Sequence, residues 1–364
     1  MPSRRPKWAA ETPDSPTAAV LGLGQMGLVC AGLLASNAAK VEAAGGSGRV
    51  VMWGHSPDEA GKLAQTRRTP RLAGFVLPPE VVVAMKDESA LAHATLIVSA
   101  IPVQHTREVW MRLARHVRPD ACVLSVAKGI ENETLQRPTQ IIASVLAQSG
   151  RDNPDRKPRS IGCLSGPTIA AELARCLPAA MIAASDDPDF AKQVQMRFGT
   201  SWMRIYTNPD VLGVELAGAV KNVIAIAAGV VDGLQAGNNA KSALLARGLA
   251  EITRLGVAMG ANVDTFFGIA GVGDLATTCF SPEGRNRSLG EALGQGRTLD
   301  EYLANSPYVV EGVATAKSVA ALGAKYRVEM PIAAAVHAIL FEGVDPIEAI
   351  GQLMSREPKP ERVG

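Results

Sequence analysis

The sequence predicts an α/β protein in two parts, a parallel sheet with crossover helices followed by an all-helical domain. Three observations carry that expectation. Short apolar runs of strand length alternate with helical patterns from Ala18 to Tyr206, the order expected of a parallel sheet. After Asn208 the strand signals stop and long Ala- and Leu-rich helices take over. And 364 residues are too many for one typical core, so two domains are the default. The boundary falls near residue 208, giving domains at 18–207 and 208–353 with flexible tails at 1–17 and 354–364. No floppy linker separates the halves, so they are expected to pack firmly.

The first strand, Ala18 to Leu21, ends in Gly22-Leu23-Gly24-Gln25-Met26-Gly27, and a helical pattern of Leu28, Val29, Leu33 and Leu34 follows. Val50-Val51-Met52-Trp53 reads as the second strand. Strand, glycine turn, helix and strand are the setting in which G-x-G-x-x-G counts as a dinucleotide fingerprint. The glycines permit a tight turn and let a pyrophosphate approach the helix N-terminus. The first part is therefore expected to be a Rossmann-type domain for NADP or NAD.

The second strand runs into Gly54-His55-Ser56, where an NAD-preferring site commonly places an acid for the ribose. Ser56-Pro57-Asp58-Glu59 reads as a helix start, with Ser56 as cap, Pro57 first and Glu59 completing a capping box. That leaves His55 to approach a 2′-phosphate, a lean towards NADP. Arg67, Arg68 and Arg71 further on read as solvated. Asn37 to Gly48, closing on Gly45-Gly46-Ser47-Gly48, reads as a flexible surface insertion.

Leu96 to Ile101 is the next strand, with a helix from Thr106 to His116. Ala121 to Ala127 ends at Lys128-Gly129, and Ile161 to Leu164 ends at Ser165-Gly166-Pro167-Thr168. Met181 to Ala184 and Trp202 to Tyr206 complete the strands. Strand ends and the loops after them are where open α/β sheets bind ligands.

In the helical part, Val214 to Val231 carries only two charges, Glu215 and Lys221. Asn208-Pro209 supplies a cap and first-turn proline, so the helix is expected to open near Asp210. A helix apolar nearly all round is a buried one. Six residues apart, Glu215 and Lys221 do not pair along it. A buried ammonium needs a partner or a lowered pKa, so Lys221 reads as a proton-transfer group or as an ion-paired structural lysine. Gly271-Val272-Gly273-Asp274-Leu275 and Gly284-Arg285-Asn286-Arg287 form a second polar cluster. Asp274 can hold an ammonium and Arg285 suits a bidentate grip on phosphate. A helix cap for Asp274 and an exposed pair for Arg285 and Arg287 are the alternatives.

Composition excludes little but points consistently. With 47% hydrophobic residues, 20% charged and a net charge of +2, nothing supports nucleic-acid or membrane-surface binding. The two charges in the Lys221 segment weigh against membrane insertion, and Ile332 to Phe341 is short for a span. Five scattered cysteines without a C-x-x-C pair argue against a metal site or a disulfide framework and fit a cytoplasmic location. All five read as buried thiols. Met1 to Thr17 lacks the apolar core of a secretory signal.

Seven motifs now stand in order: Gly22 to Gly27, Ala127-Lys128-Gly129, Ser165-Gly166-Pro167-Thr168, Val220-Lys221-Asn222-Val223, Gly273-Asp274-Leu275, Arg285-Asn286-Arg287 and Val310-Glu311-Gly312. Together, from Ala18 to Leu353, the chain resembles the NAD(P)-dependent glycerol-3-phosphate dehydrogenases. The resemblance implies reversible reduction of dihydroxyacetone phosphate to sn-glycerol 3-phosphate, the backbone precursor for glycerophospholipids. It implies that Lys221 is the proton donor and acceptor at the C2 oxygen, that Lys128 contacts cofactor and substrate, and that Asp274 orients Lys221. Asn222 adds a hydrogen bond, and Arg285 and Asn286 hold the substrate phosphate beside Gly284. Gly166 and Thr168 line the substrate side; Ala170, Arg285, Val309 and Glu311 the cofactor side.

Three positions depart from the family pattern. Pro102-Val103-Gln104 lacks the usual Ser, Gly284 stands where Ser commonly precedes the Arg-Asn pair, and Gln25-Met26 replaces a small-plus-aromatic pair. The competing readings are a 3-hydroxyacid dehydrogenase and a non-catalytic NAD(P)-binding sensor. The size and apolar helices of the second domain suggest a homodimer.

Overall fold

The structure, a computed structural model, describes residues 17–152, 158–306, 309–358 and 360. Of the tails expected at 1–17 and 354–364, residues 1–16, 359 and 361–364 lie outside the described residues, while Thr17 opens the first strand and Met354 ends the last helix. Eight strands form one sheet: β1 (Thr17–Leu21), β2 (Val50–Trp53), β3 (Val82–Ala84), β4 (Ala94–Ser99), β5 (Cys122–Ser125), β6 (Ile161–Ser165), β7 (Ala179–Ser185) and β8 (Met203–Asn208). Their order is β3-β2-β1-β4-β5-β6-β7-β8. β1 to β6 run parallel, β7 pairs antiparallel with β6, and β8 runs parallel to β7.

All five residues of β1 and all four of β2 are buried, because helices cover both faces of a parallel sheet. Ala18 and Val20 pack with Leu28 and Phe198 on one face; Ala19 and Leu21 pack with Trp110 and Ile141 on the other. The strand order reverses between β1 and β4, and their carboxyl ends open the crevice that such sheets use for ligands.

Several local expectations need correction. Ala38–Ala43 is a helix, not a flexible insertion, because buried Asn37 donates to the carbonyls of Leu33 (3.2 Å) and Arg197 (3.0 Å) and anchors its start. Ser56 caps Pro57–Thr66, accepting from the Glu59 amide at 3.4 Å, yet no capping box closes. The Glu59 carboxylate instead takes Arg71 at 2.6 Å, a charge-assisted bond that outcompetes a backbone amide. Cys176 is exposed and Cys122 half-buried, so only Cys30, Cys163 and Cys279 are buried thiols.

The helix Val211–Gly233 is the centre of the helical part, buried along almost its whole length. Its cap is Asp210, which accepts from the Gly213 amide at 2.8 Å, while Asn208 accepts from the Asp210 amide; Pro209 thus precedes the helix. By length and composition this helix could cross a membrane, but its apolar window is wholly buried inside the protein. Val211 and Val214 pack on Cys163, Ile182 and Ala184 of β6 and β7, joining the sheet to the helices. Glu215 finds its partners on the sheet side, accepting from the Thr139 amide (2.9 Å), the Thr139 hydroxyl (2.6 Å) and Arg137. Burial pushes its carboxyl pKa up against those bonds.

Against the helix Arg285–Gly294 the contact is backbone on backbone. A Cβ at Gly290 would stand 1.9 Å from the Ile226 carbonyl oxygen, and one at Gly229 1.9 Å from that of Arg287. Gly290→Ala must therefore separate the two helices. It is expected to destabilise by ~3 kcal/mol, the upper end for overpacking. The denaturation midpoint measures this; an unchanged midpoint would mean that the helices slide apart freely.

Candidate active site

The glycine turn after β1 is built by two close backbone approaches and one open face. Gly22 has φ +117°, and a Cβ there would stand 2.6 Å from the Ala100 carbonyl oxygen. A Cβ at Gly27 would lie 2.1 Å from the Gly22 carbonyl oxygen. A Cβ at Gly24, in contrast, would meet nothing within 4 Å, so Gly24 borders open space at the N-cap of Gln25–Ser36. No side chain caps this helix and no acid sits in its first turn. Its free amides and positive dipole end therefore suit a dinucleotide pyrophosphate.

A cavity of about 550 Å³ extends from this turn over Gly22, Gly24 and Gln25 to His55, Glu59 and Arg71. Arg71 is thus part of the site's wall and not simply solvated. Arg67 is structural, donating to the carbonyls of Val81 (2.8 Å) and Pro78. A second cavity, of about 480 Å³, holds Met26, Lys128, Thr168, Ala170, Lys221, Asn222, Gly284 and Asn286. Gly24, Gln25, Arg285, Val309 and Glu311 line both, so the cavities meet along the glycine turn. Gly27 lies beneath the turn, and Gly166 and Asp274 contribute from behind the lining.

At the floor of the second cavity, Asp274 stands between two ammonium groups. It is 1% exposed; Lys221 Nζ lies 3.0 Å from its Oδ1 and Lys128 Nζ 2.6 Å from its Oδ2. Asp274 opens the helix Asp274–Phe280 but makes no cap bond, which removes the cap reading. Lys128 also donates to the Gly166 carbonyl at 2.8 Å and to Thr168 Oγ1 at 3.4 Å. Burial, reinforced by Lys221, lowers its pKa from 10.5 to about 8, with Asp274 pulling the other way. Lys221 donates in addition to Thr278 Oγ1, whose own proton goes to the Asp274 carbonyl at 2.7 Å.

The amide residues beside the two lysines are held by a separate series of hydrogen bonds. Asn222 donates to the Lys128 carbonyl (3.4 Å) and accepts from Asn286 (3.0 Å), whose oxygen accepts from the Gly312 amide at 2.9 Å. Arg285 lines both cavities and donates to Gln25. Arg287 turns away to Asp232 at 2.6 Å, so the two arginines are not an exposed pair. Glu311 is bonded by the Val103 amide, and burial raises its pKa to about 7 against the pull of Arg285. Val103, 0% exposed, offers only its backbone where the sequence lacks the usual Ser.

Thr278 and Glu59 are among the lining residues with no site role assigned from the sequence. Thr278 was legible, four residues after Asp274 on the same helix face. Glu59 carried no signal beyond its cap pattern.

A nucleotide-type sheet meeting a helical domain that supplies a buried lysine defines a two-domain dinucleotide-dependent oxidoreductase. The model for the NAD-dependent glycerol-3-phosphate dehydrogenase N-terminus matches residues 17–191 and that for its C-terminus residues 210–351; the chain belongs to this family. It is 42% identical over 339 residues to a glycerol-3-phosphate dehydrogenase [NAD(P)+] of Pelotomaculum thermopropionicum, covering 93% of each chain. It is 44% identical over 313 residues to one from Salinibacter ruber, covering 86% of this chain and 89% of that one. The crystal structure of glycerol-3-phosphate dehydrogenase from Coxiella burnetii superposes with a TM-score of 0.84 at 32% identity, over 95% of this chain and all of that one.

Proposed function

We propose that this chain catalyses the reversible, NAD(P)-dependent reduction of dihydroxyacetone phosphate to sn-glycerol 3-phosphate. The observation that carries the reading is the Lys128–Asp274–Lys221 cluster beneath a cavity walled by Arg285 and Asn286 and joined to the glycine turn. In this reading 18–207 is the dinucleotide domain and 208–353 the substrate domain.

Gly22, Gly24 and the N-terminus of Gln25–Ser36 would hold the dinucleotide, with His55 at the ribose end and Ala170, Val309 and Glu311 along it. When bound, the nicotinamide supplies or accepts the hydride. Lys221 gives a proton to the C2 oxygen in the reducing direction and takes it back in the other. Asp274 and Thr278 fix the direction of its ammonium. Lys128 stabilises the negative charge that develops on the same oxygen. Arg285, Asn286 and the Gly284 backbone hold the phosphate, and Asn222, Gly166 and Thr168 close the substrate side. Location in the cytoplasm, a homodimer and supply of glycerophospholipid synthesis complete the reading.

The test is absorbance at the reduced-nicotinamide band with purified protein and dihydroxyacetone phosphate, run in parallel with NADH and NADPH. Consumption is expected, and the rate ratio decides whether His55 marks an NADP site. Tight cofactor binding without consumption would overturn the substrate assignment in favour of a 3-hydroxyacid or of a sensor.

A pH dependence follows from Lys128. Its charged form is lost as pH rises through about 8, so kcat/KM for reduction is expected to fall there. For stability the sign is the reverse. Between about 8 and 10.5 the unfolded chain binds the extra proton, so this lysine's destabilising contribution is full below 8 and fades as pH climbs to 10.5. Lys128→Arg, which stays charged, should lack its part of the alkaline fall. A wild-type profile flat to pH ~10 would remove Lys128 from the charge-stabilising role.

A further inference from the structure

We propose that Gln25 is a positioning residue that aims Arg285 at the substrate phosphate and so ties the nucleotide turn to the phosphate grip. The inference rests on the reading of Arg285 as a phosphate ligand. Gln25 is the first residue of its helix and stands where the sequence departs from the family pattern.

Its side chain is bonded at both ends. Nε2 donates to the Arg71 carbonyl at 2.8 Å, and Oε1 accepts from Arg285 Nη2. Arg71 is itself held by Glu59 at 2.6 Å. A strut thus runs from the loop after Pro57–Thr66, across the glycine turn, to the first residue of Arg285–Gly294 in the helical domain. Gln25 and Arg285 are both in the set of residues shared by the two cavities, so the strut stands where they meet.

The need for it follows from a contrast with the next residue. Asn286 is buried and fixed by Asn222 and the Gly312 amide. Arg285 is half-buried, long and flexible, at a helix start. A guanidinium ordered only when ligand arrives gives up its rotamer freedom at that moment, whereas one already held does not. A planar guanidinium with five N–H donors can bond Gln25 and a phosphate oxygen at the same time. An alanine or serine at position 25 is too short to make both bonds.

The experiment is calorimetric titration of sn-glycerol 3-phosphate, and separately of NADH, into wild type, Gln25→Ala, Arg285→Ala and the double variant. Gln25→Ala is expected to weaken glycerol 3-phosphate about tenfold, the worth of one bond to a charged group, and to change NADH less than twofold. Because Gln25 acts through Arg285, the double variant should bind glycerol 3-phosphate no more weakly than Arg285→Ala alone. A loss confined to NADH would overturn the proposal and make Gln25 a nucleotide ligand. Additive losses, or an unchanged phosphate affinity, would also overturn it. No binding of glycerol 3-phosphate by wild type would instead overturn the assignment of the site itself.

Discussion

Replacing Lys221 with methionine is expected to lower kcat by ~10²–10⁴-fold while leaving dinucleotide affinity intact, the range for loss of a general acid–base group. The lysine side chain is 6% exposed, and what it shows faces the second cavity; it is not part of the wall of the first. The cofactor contacts along the first cavity are therefore left in place. Methionine is unbranched, of similar length and apolar, and it enters a helix whose buried neighbours are Val220, Val223 and Ile224. Asp274 keeps Lys128 at 2.6 Å, so the variant retains one buried ion pair and stays folded. Steady-state turnover and an NADH fluorescence titration on the same preparation separate the two quantities. Near-normal turnover in a folded Lys221→Met protein would show that the proton comes from elsewhere.

What was legible in the sequence was whatever burial writes locally. β1 and β2 are covered on both faces, so they read as unbroken apolar runs, and the helix Val211–Gly233 reads as apolar all round for the same reason. β3 is a three-residue edge strand, half-buried at Val82 and Val83, too short to show a period. Ala38–Ala43 was hidden by the glycines that follow it, since its anchor is a tertiary bond from Asn37 to Arg197.

At the site the same distinction holds. That Lys221 needs a partner follows from its own segment, and the spacing removed Glu215. The partner's geometry did not follow, because Asp274 arrives from a different helix and is shared with Lys128. The Gln25–Arg285 bond joins residues at opposite ends of the chain, and no periodicity records such a pairing. Arg71 looked like one more surface arginine, yet its carbonyl and its side chain are both committed inside the first cavity's wall.

Removing the carboxylate at Asp274 tests the cluster as a unit. Asp274→Asn keeps the shape but leaves two ammonium groups in a site where the acceptor charge had been 1% exposed. Breaking a buried pair by removing one partner costs ~3–5 kcal/mol, because the remaining charge stays buried and uncompensated. Here two charges remain, and they repel each other. Lys128, whose pKa burial already lowers, responds by giving up its proton more readily, so its folded pKa falls further below the unfolded value. The sign of the pH dependence follows from that. A depressed lysine pKa penalises folding below the folded value, and the penalty fades as pH rises towards the unfolded one. Chemical denaturation at pH 7 and at pH 9.5 is therefore expected to show a large loss in Asp274→Asn at the lower pH and a smaller one at the higher. Turnover should fall by at least ~10²-fold at either pH, since Lys221 has lost its orienting group and Lys128 its charge partner. Equal stability losses at the two pH values would mean that Lys128 does not depend on Asp274 for its charge. A loss of turnover without any loss of stability would confine Asp274 to orientation and remove it from the balance of buried charge.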